Sequence, residues 1–177
     1  MNGRELLIGV SGGIAAYKTA TLVSRLVQVG AGVTVVMTRS ATKLIGPKTF
    51  EALTGRPVAT RLFERGEAHP HIELAERAEL FCIAPATANI LAKAAWGLGD
   101  DLLSTTLLSF DGPVLMAPAM NTRMWQKPAV QRNVKQLHRD GIIMIDPAEG
   151  RLSCGTTGPG RMAEPEVIFE AITRHLI

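Results

Sequence analysis

The chain has 177 residues, of which 46% are hydrophobic and 20% charged, with 19 Lys and Arg against 16 Asp and Glu. That apolar share excludes a disordered chain, and 17 Gly with 10 Pro exclude a fibrous or low-complexity one. A net charge of +3 spread over scattered basic residues does not make a nucleic-acid binder, although it suits an acidic or phosphorylated small ligand.

Glu5 to Val10 (ELLIGV) is a short apolar run that ends in Ser11-Gly12-Gly13. Ile14 to Val29 follows with apolar residues at Ile14, Tyr17, Leu22, Leu26 and Val29, near a helical period, and Gly30 is its stop. Gly32 to Met37 (GVTVVM) is β-branched and continuously apolar, as a strand covered on both faces should be. Leu80 to Ala84, Pro113 to Ala117 and Gly141 to Ile145 repeat that character. Between the strands, helices are predicted over Thr49 to Thr54, Ile72 to Ala78, Ala88 to Trp96, Asp101 to Ser109, Pro128 to Asp140 and Glu164 to Ile177. Strands alternating with helices predict right-handed βαβ crossovers and an open parallel sheet flanked by helices, in one domain without repeat or linker. Asp146 to Met162 (DPAEGRLSCGTTGPGRM) breaks the pattern and reads as a functional or disordered loop. No apolar run approaches the roughly 18–20 residues of a membrane span, and no signal-peptide pattern precedes the first strand. Two cysteines, Cys82 and Cys154, make neither a disulfide framework nor a metal cluster, so a soluble cytoplasmic protein is the expectation.

In such a sheet ligands bind beyond the carboxyl ends of the strands. The Gly9-Val10-Ser11-Gly12-Gly13-Ile14 turn sits there, and small residues with free N–H groups at a helix start suit a phosphate. Equally, it reads as a tight turn with no ligand. A dinucleotide fingerprint fails: the glycine spacing is wrong, and the second strand ends in Thr38-Arg39-Ser40 rather than in an acid. A P-loop fails as well, because Tyr17 precedes Lys18-Thr19 where Gly is needed. Thr38 and Ser40 either meet a phosphate or cap the next helix. Pro85 to Asn89, Pro118 to Trp125 and the Gly-rich loop around Cys154 follow later strands and converge on the same side. His71 is either a base or a cap, with His69 competing for the role. Asn121 is either a ligand-gripping amide or a helix N-cap. Cys154 is either an accessible reactive thiol or an incidental loop cysteine, whereas Cys82 reads as a buried small hydrophobe.

With these residues assembled, the chain resembles the flavin-dependent cysteine decarboxylases over essentially its whole length. Within that family it resembles most the members acting on 4′-phosphopantothenoyl-cysteine in coenzyme A biosynthesis. The landmarks are GVSGGIAAYK (Gly9 to Lys18), His71 in HIELAERAEL, PATANI (Pro85 to Ile90), GDDLLST (Gly99 to Thr105), PAMNTRMW (Pro118 to Trp125) and SCGTTGPGRM (Ser153 to Met162). The Pro-x-Met-Asn-x-x-Met-Trp signature is met at every fixed position. The resemblance implies a flavodoxin-like, Rossmann-type doubly wound sheet binding FMN, assembled as homotrimers or as dodecamers of trimers with the flavin at subunit contacts. It implies that Gly12, Gly13, Ile14, Thr38, Ser40, Thr87, Ala88 and Asn89 contact FMN, with Ser104 and Thr105 as additions. It implies, too, a phosphopantothenate–cysteine ligase as a partner, fused or separate.

The chemistry implied is oxidation of the substrate's CH2–SH carbon to a thioaldehyde, which gives decarboxylation an electron sink. Loss of CO2 then yields an enethiolate, which the reduced flavin converts to the saturated thiol. By the resemblance His71 is the base or electrostatic partner, Asn121 grips the substrate, and Cys154, on a flap at about 146–162, protonates the enethiol. Met120 packs the substrate turn, while Lys18, Arg39 and Arg161 are the candidate cations for the substrate phosphate. Three other readings stay open. Peptidyl-cysteine decarboxylases of lantibiotic type stop at the enethiol and lack the loop cysteine. A prenyl-transferring relative carries Arg-rich contacts where this chain has Ala119-Met120-Asn121. A non-catalytic FMN-binding regulatory subunit tends to lose the His, Asn or Cys kept here.

Overall fold

Apolar runs read from the sequence become the strands β1 (Glu5–Val10), β2 (Gly32–Met37), β3 (Leu80–Ala86), β4 (Val114–Pro118) and β5 (Ile143–Met144) of one sheet. The computed structural model describes residues 1–63, 69–151, 155 and 157–176. Every pairing in this sheet is parallel, and the strand order is β2-β1-β3-β4-β5. That order is the flavodoxin-like one, with the direction of winding reversing between β1 and β3.

Because side chains alternate along a strand, each strand feeds two cores. Leu6, Ile8 and Val10 of β1, Leu80, Cys82 and Ala84 of β3, and Leu115 and Ala117 of β4 share one face. Helices α1 (Ala16–Gln28), α2 (Pro47–Thr54) and α8 (Pro165–Leu176) cover it with Leu22, Val23, Leu26, Phe50, Ile168 and Ile172. Leu7, Phe81, Ile83 and Met116 point the other way, against α4 (Ala88–Trp96), α5 (Leu102–Ser109) and α7 (Pro128–Arg139). Helix α3 (Pro70–Arg77) packs on that side through Leu74. Side chains such as Phe50, Phe81 and Leu26 are wholly buried, each contributing about 1.5–3 kcal/mol of apolar transfer. No helix among the described residues is long and apolar enough to cross a membrane.

Three local features differ from the sequence reading. The apolar stripe predicted from Ile14 through Val29 divides: Leu22 and Leu26 enter the core, but Ile14 and Tyr17 stand 59% and 62% exposed. The predicted loop after β5 contains an antiparallel ribbon, β6 (Ala148–Arg151) and β7 (Thr157–Arg161). Its Gly- and Pro-rich strands pair through the backbone, so no apolar alternation announces them. Finally, the Pro118–Trp125 motif closes with a four-residue helix, α6 (Thr122–Trp125), too short to show a period.

Candidate active site

The register brings the ends of four strands level. Val10 pairs with Met37, and Ala86 with Pro118, so Ser11, Thr38, Thr87 and Ala119 all emerge at the carboxyl edge of the sheet. They surround a cleft of about 920 Å³. Its walls are Ser11 to Ala15 with Tyr17 and Lys18, then Thr38 to Ser40, Thr87 to Ile90 with Lys93, Asp101, Ala119 to Asn121 with Met124, and Arg151 with Gly160 to Met162 from the ribbon.

Ser11 joins the two sides of the switch point. Only 2% exposed, its hydroxyl donates to the Pro85 carbonyl at 2.7 Å and accepts the Thr87 N–H at 3.0 Å. It also lies 3.0 Å from the Thr87 hydroxyl. The turn beside it tolerates no bulk, since a Cβ on Gly12 would collide with the Cβ of Ser40. Thr38 follows the capping alternative, accepting the Ala41 N–H at 3.2 Å over a 3-10 turn at Ala41–Lys43, while its residue still lines the cleft.

Asn121 takes the N-cap reading and also lines the cleft. Its Oδ1 caps α6 by accepting the Arg123 N–H at 2.8 Å, which fixes the amide at the wall of the cleft. Met120, its neighbour, donates its N–H to the Gly160 carbonyl at 2.9 Å, seating the ribbon on this turn. Gly160 has φ +125°, and any Cβ there would meet the Met120 carbonyl.

Most of the cations are already paired. Lys18, 7% exposed, reaches both oxygens of Glu164 at 2.9 and 3.0 Å. Arg161 donates to the same carboxylate at 2.7 Å. The Lys18 hydrogen bond holds the Glu164 carboxyl below its ordinary value. Lys93 bridges Asp100 and Asp101; burial works against its charge, but these two bonds outweigh it and raise its pKa. Among the described residues, Arg39 and Arg151 are the cleft cations without an ion pair.

Other predicted residues lie elsewhere. Ser104 is bound up in a capping box with Asp101, and the Thr105 hydroxyl donates to the Asp101 carbonyl at 2.8 Å; neither lines the cleft. His71, in the first turn of α3, does not line the cleft of its own chain, and its Nδ1 is buried without a hydrogen-bond partner among the described residues. The His69 ring stands edge-on to it at 6.3 Å. Cys154 lies outside the described residues. Cys82 is wholly buried, and burial pushes its thiol up to about 12.

The sequence model of the Flavoprotein family matches residues 1–177. The chain belongs to that family. Among relatives, the Bacillus subtilis coenzyme A biosynthesis bifunctional protein CoaBC is 48% identical over 179 residues, covering 99% of this chain and 44% of that protein. This Flavoprotein-family chain therefore spans less than half of that relative's length. The FMN-dependent cysteine decarboxylase SpaF superposes with a TM-score of 0.86 at 37% identity, covering 99% of this chain and 98% of that one. A cysteine-to-serine mutant of PPC decarboxylase complexed with pantothenoylaminoethenethiol gives 0.86 at 32% identity, covering 97% of each chain.

Sequence reasoning passed over Ser11, Lys93, Asp101 and Arg151 as cleft residues, and Glu164 as the partner of Lys18 and Arg161. A serine directly after a strand was a usable signal for the first. Lys93, Asp101 and Glu164 gain their places only through packing, and Arg151 through the ribbon.

Proposed function

We propose that this chain is an FMN-dependent decarboxylase converting 4′-phosphopantothenoyl-cysteine to 4′-phosphopantetheine. The observation that carries the reading is the cation-walled cleft at the β1/β3 switch point, closed on one side by the Pro-Ala-Met-Asn turn. The names of the CoaBC and PPC decarboxylase relatives support the substrate, and those of SpaF and PPC decarboxylase support the chemistry.

The residues fit a flavin mononucleotide. The turn at Gly12 and Gly13 has no room for a Cβ at Gly12, so bare backbone lines the cleft there, which suits the close approach of a phosphate. Gly12, Gly13, Ile14, Thr38, Ser40, Thr87, Ala88 and Asn89 would hold it, with Arg39 beside the hydroxyls. Ser104 and Thr105 hold the start of α5 instead. Bound FMN supplies a reversible two-electron acceptor, the sink that decarboxylation of a cysteinyl carboxylate requires.

The chain's own side chains do the rest. Asn121, its amide fixed by the α6 cap, orients the substrate's carboxylate. Met120 packs beneath it. Arg151 meets the substrate's phosphate, and Arg161, with five N–H donors, serves both Glu164 and the substrate. His71 moves the proton taken from the substrate thiol, and the Cys154 thiol returns one to the enethiol carbon. Because His71 stands outside its own cleft, we place it in that of a neighbouring subunit, in a homotrimer or a dodecamer of trimers. Ile72 on α3 and Leu108 on α5, 37% and 54% exposed, offer apolar surface for that contact. A phosphopantothenate–cysteine ligase, fused or separate, is the proposed partner.

A second reading, decarboxylation that stops at the oxidised enethiol, has in its favour the pantothenoylaminoethenethiol held by the similar PPC decarboxylase mutant. One experiment decides. FMN-loaded protein is incubated with 4′-phosphopantothenoyl-cysteine and the product weighed by mass spectrometry. Loss of CO2 alone is the expected result. Loss of CO2 plus two hydrogens selects the second reading, and an intact substrate with flavin bound overturns both. Under the proposed mechanism, Cys154→Ser should convert the first outcome into the second.

A further inference from the structure

The β6–β7 ribbon is a sheet of its own, with AEGR on one strand and TGPGR on the other. A lone two-stranded ribbon is marginal by itself, and these strands carry no large apolar side chain that could pin it by burial. Met162, directly after β7, is buried in the core and anchors that end; beyond it, the ribbon's position over the Met120–Thr122 turn depends on two polar contacts. One is the Met120 N–H to Gly160 carbonyl bond. The other starts at the last residue of β7, where Arg161 donates to Glu164 at 2.7 Å.

We infer that Glu164 is a positioning residue, a carboxylate latch that joins Lys18 of α1 to Arg161 and so fixes where the ribbon stands against the cleft. The asymmetry of the triad is what makes this a latch. An exposed Arg–Glu pair alone would hold little, because two free side chains must be ordered to make it. Here the carboxylate is already immobilised: the nearly buried Lys18 ammonium needs a counter-ion and takes both Glu164 oxygens at 2.9 and 3.0 Å. Arg161 thus docks on a prepared acceptor that is rigid with α1 and the sheet. Glu164 does not itself line the cleft, so its effect on chemistry passes through Arg161 and the ribbon.

The deeper consequence rests on the decarboxylase reading. In sequence Cys154 lies between β6 and β7, so a displaced ribbon should spoil enethiol reduction before it spoils CO2 release. The test uses Glu164→Gln in the full, FMN-loaded chain, followed by hydrogen exchange mass spectrometry. Peptides over β6, β7 and Met120–Trp125 should exchange about tenfold faster or more, with β1 and β3 unchanged. Unchanged ribbon exchange overturns the latch, and so does an increase spread evenly over the sheet. If Glu164→Gln does not fold, Arg161→Gln removes only the half-exposed arm and is judged by the same two outcomes. In the product assay Glu164→Gln should keep CO2 release within about threefold of the parent while the dehydro fraction rises. A loosened ribbon with an unchanged product ratio sinks the link to reduction. A parent that releases no CO2 sinks the decarboxylase reading, and the exchange result still decides the latch.

Discussion

Ser11→Ala tests whether the switch point is held by one hydroxyl. The substitution removes a donor to the Pro85 carbonyl and the acceptor of the Thr87 N–H. The Pro85 carbonyl keeps a long bond from the Ser11 N–H at 3.4 Å, so its loss is partial. The Thr87 N–H is left without its partner at the cleft wall, where water can reach it. A buried group stranded outright costs about 1–3 kcal/mol, and this partial compensation puts the total near 1.5–2.5 kcal/mol. For a chain of this size that is a fall in Tm of roughly 3–10 °C. Because Thr87 opens the segment proposed to touch the flavin, FMN binding should weaken about tenfold, equivalent to ~1.4 kcal/mol. Thermal unfolding of the apoprotein and flavin fluorescence titration measure the two effects. Thr106→Val is the control: its buried hydroxyl donates to the Leu102 carbonyl within α5 at 2.7 Å, away from the cleft. It should lose stability without losing flavin affinity. If Ser11→Ala melts with the parent, or if both variants weaken FMN equally, the staple argument is wrong.

His71→Asn should retain FMN while CO2 release falls at least about 100-fold, the usual range for losing a general acid–base group. Co-expressed with an Asn121→Ala chain it should recover part of that activity, since the proposed mixed oligomers would contain clefts with both residues intact; no recovery would overturn the placement of His71 in a neighbouring subunit's cleft. A third expectation concerns acid stability. The hydrogen bond from Arg56 to Glu5, at 2.6 Å to Oε2, holds the Glu5 carboxyl below its ordinary value of 4.5. A depressed carboxylate stabilises the fold above its unfolded pKa and loses that contribution as pH falls through the lower folded value. Urea midpoints followed from neutral pH to about 3 should drop below the ordinary carboxylate value, and Arg56→Gln should flatten that drop. A slope unchanged by Arg56→Gln would remove this pair from the account.

Most of the sheet was legible because parallel strands buried on both faces must be apolar throughout. Gly32–Met37 was read to the residue, and Glu5–Val10 likewise. Helices were legible by period where one face is buried, as Leu22 and Leu26 show, and misread where apolar residues stand at a rim, as Ile14 and Tyr17 do. Periodicity reports that a residue is apolar, not which surface it faces. The β6–β7 ribbon was missed for a related reason: Glu149 faces Pro159 and Gly150 faces Gly158. Such pairs carry no side-chain signature that separates a ladder from a loop.

The site was legible where it follows from strand ends and opaque where it follows from pairing. Gly12, Thr38, Thr87 and Asn121 line the cleft because each sits just past a strand, a position the sequence alone supplies. Lys18 was equally visible as a cation near that edge, yet its partner lies 146 residues away, and only the packing of α8 against α1 selects Glu164. The same holds for net charge. Basic residues that look scattered along the chain include Lys18, Arg39, Lys93, Arg151 and Arg161, which the fold gathers around one cleft with Asp101 as the lining acid. The carboxylates Glu164, Asp100 and Asp101 then pair with three of the five, which among the described residues leaves Arg39 and Arg151 as the lining cations without an ion pair. They come from different elements of the wall, one after β2 and one on the ribbon. Under the proposed function, one cation beside the glycine turn would meet the cofactor's phosphate and one on the ribbon the substrate's.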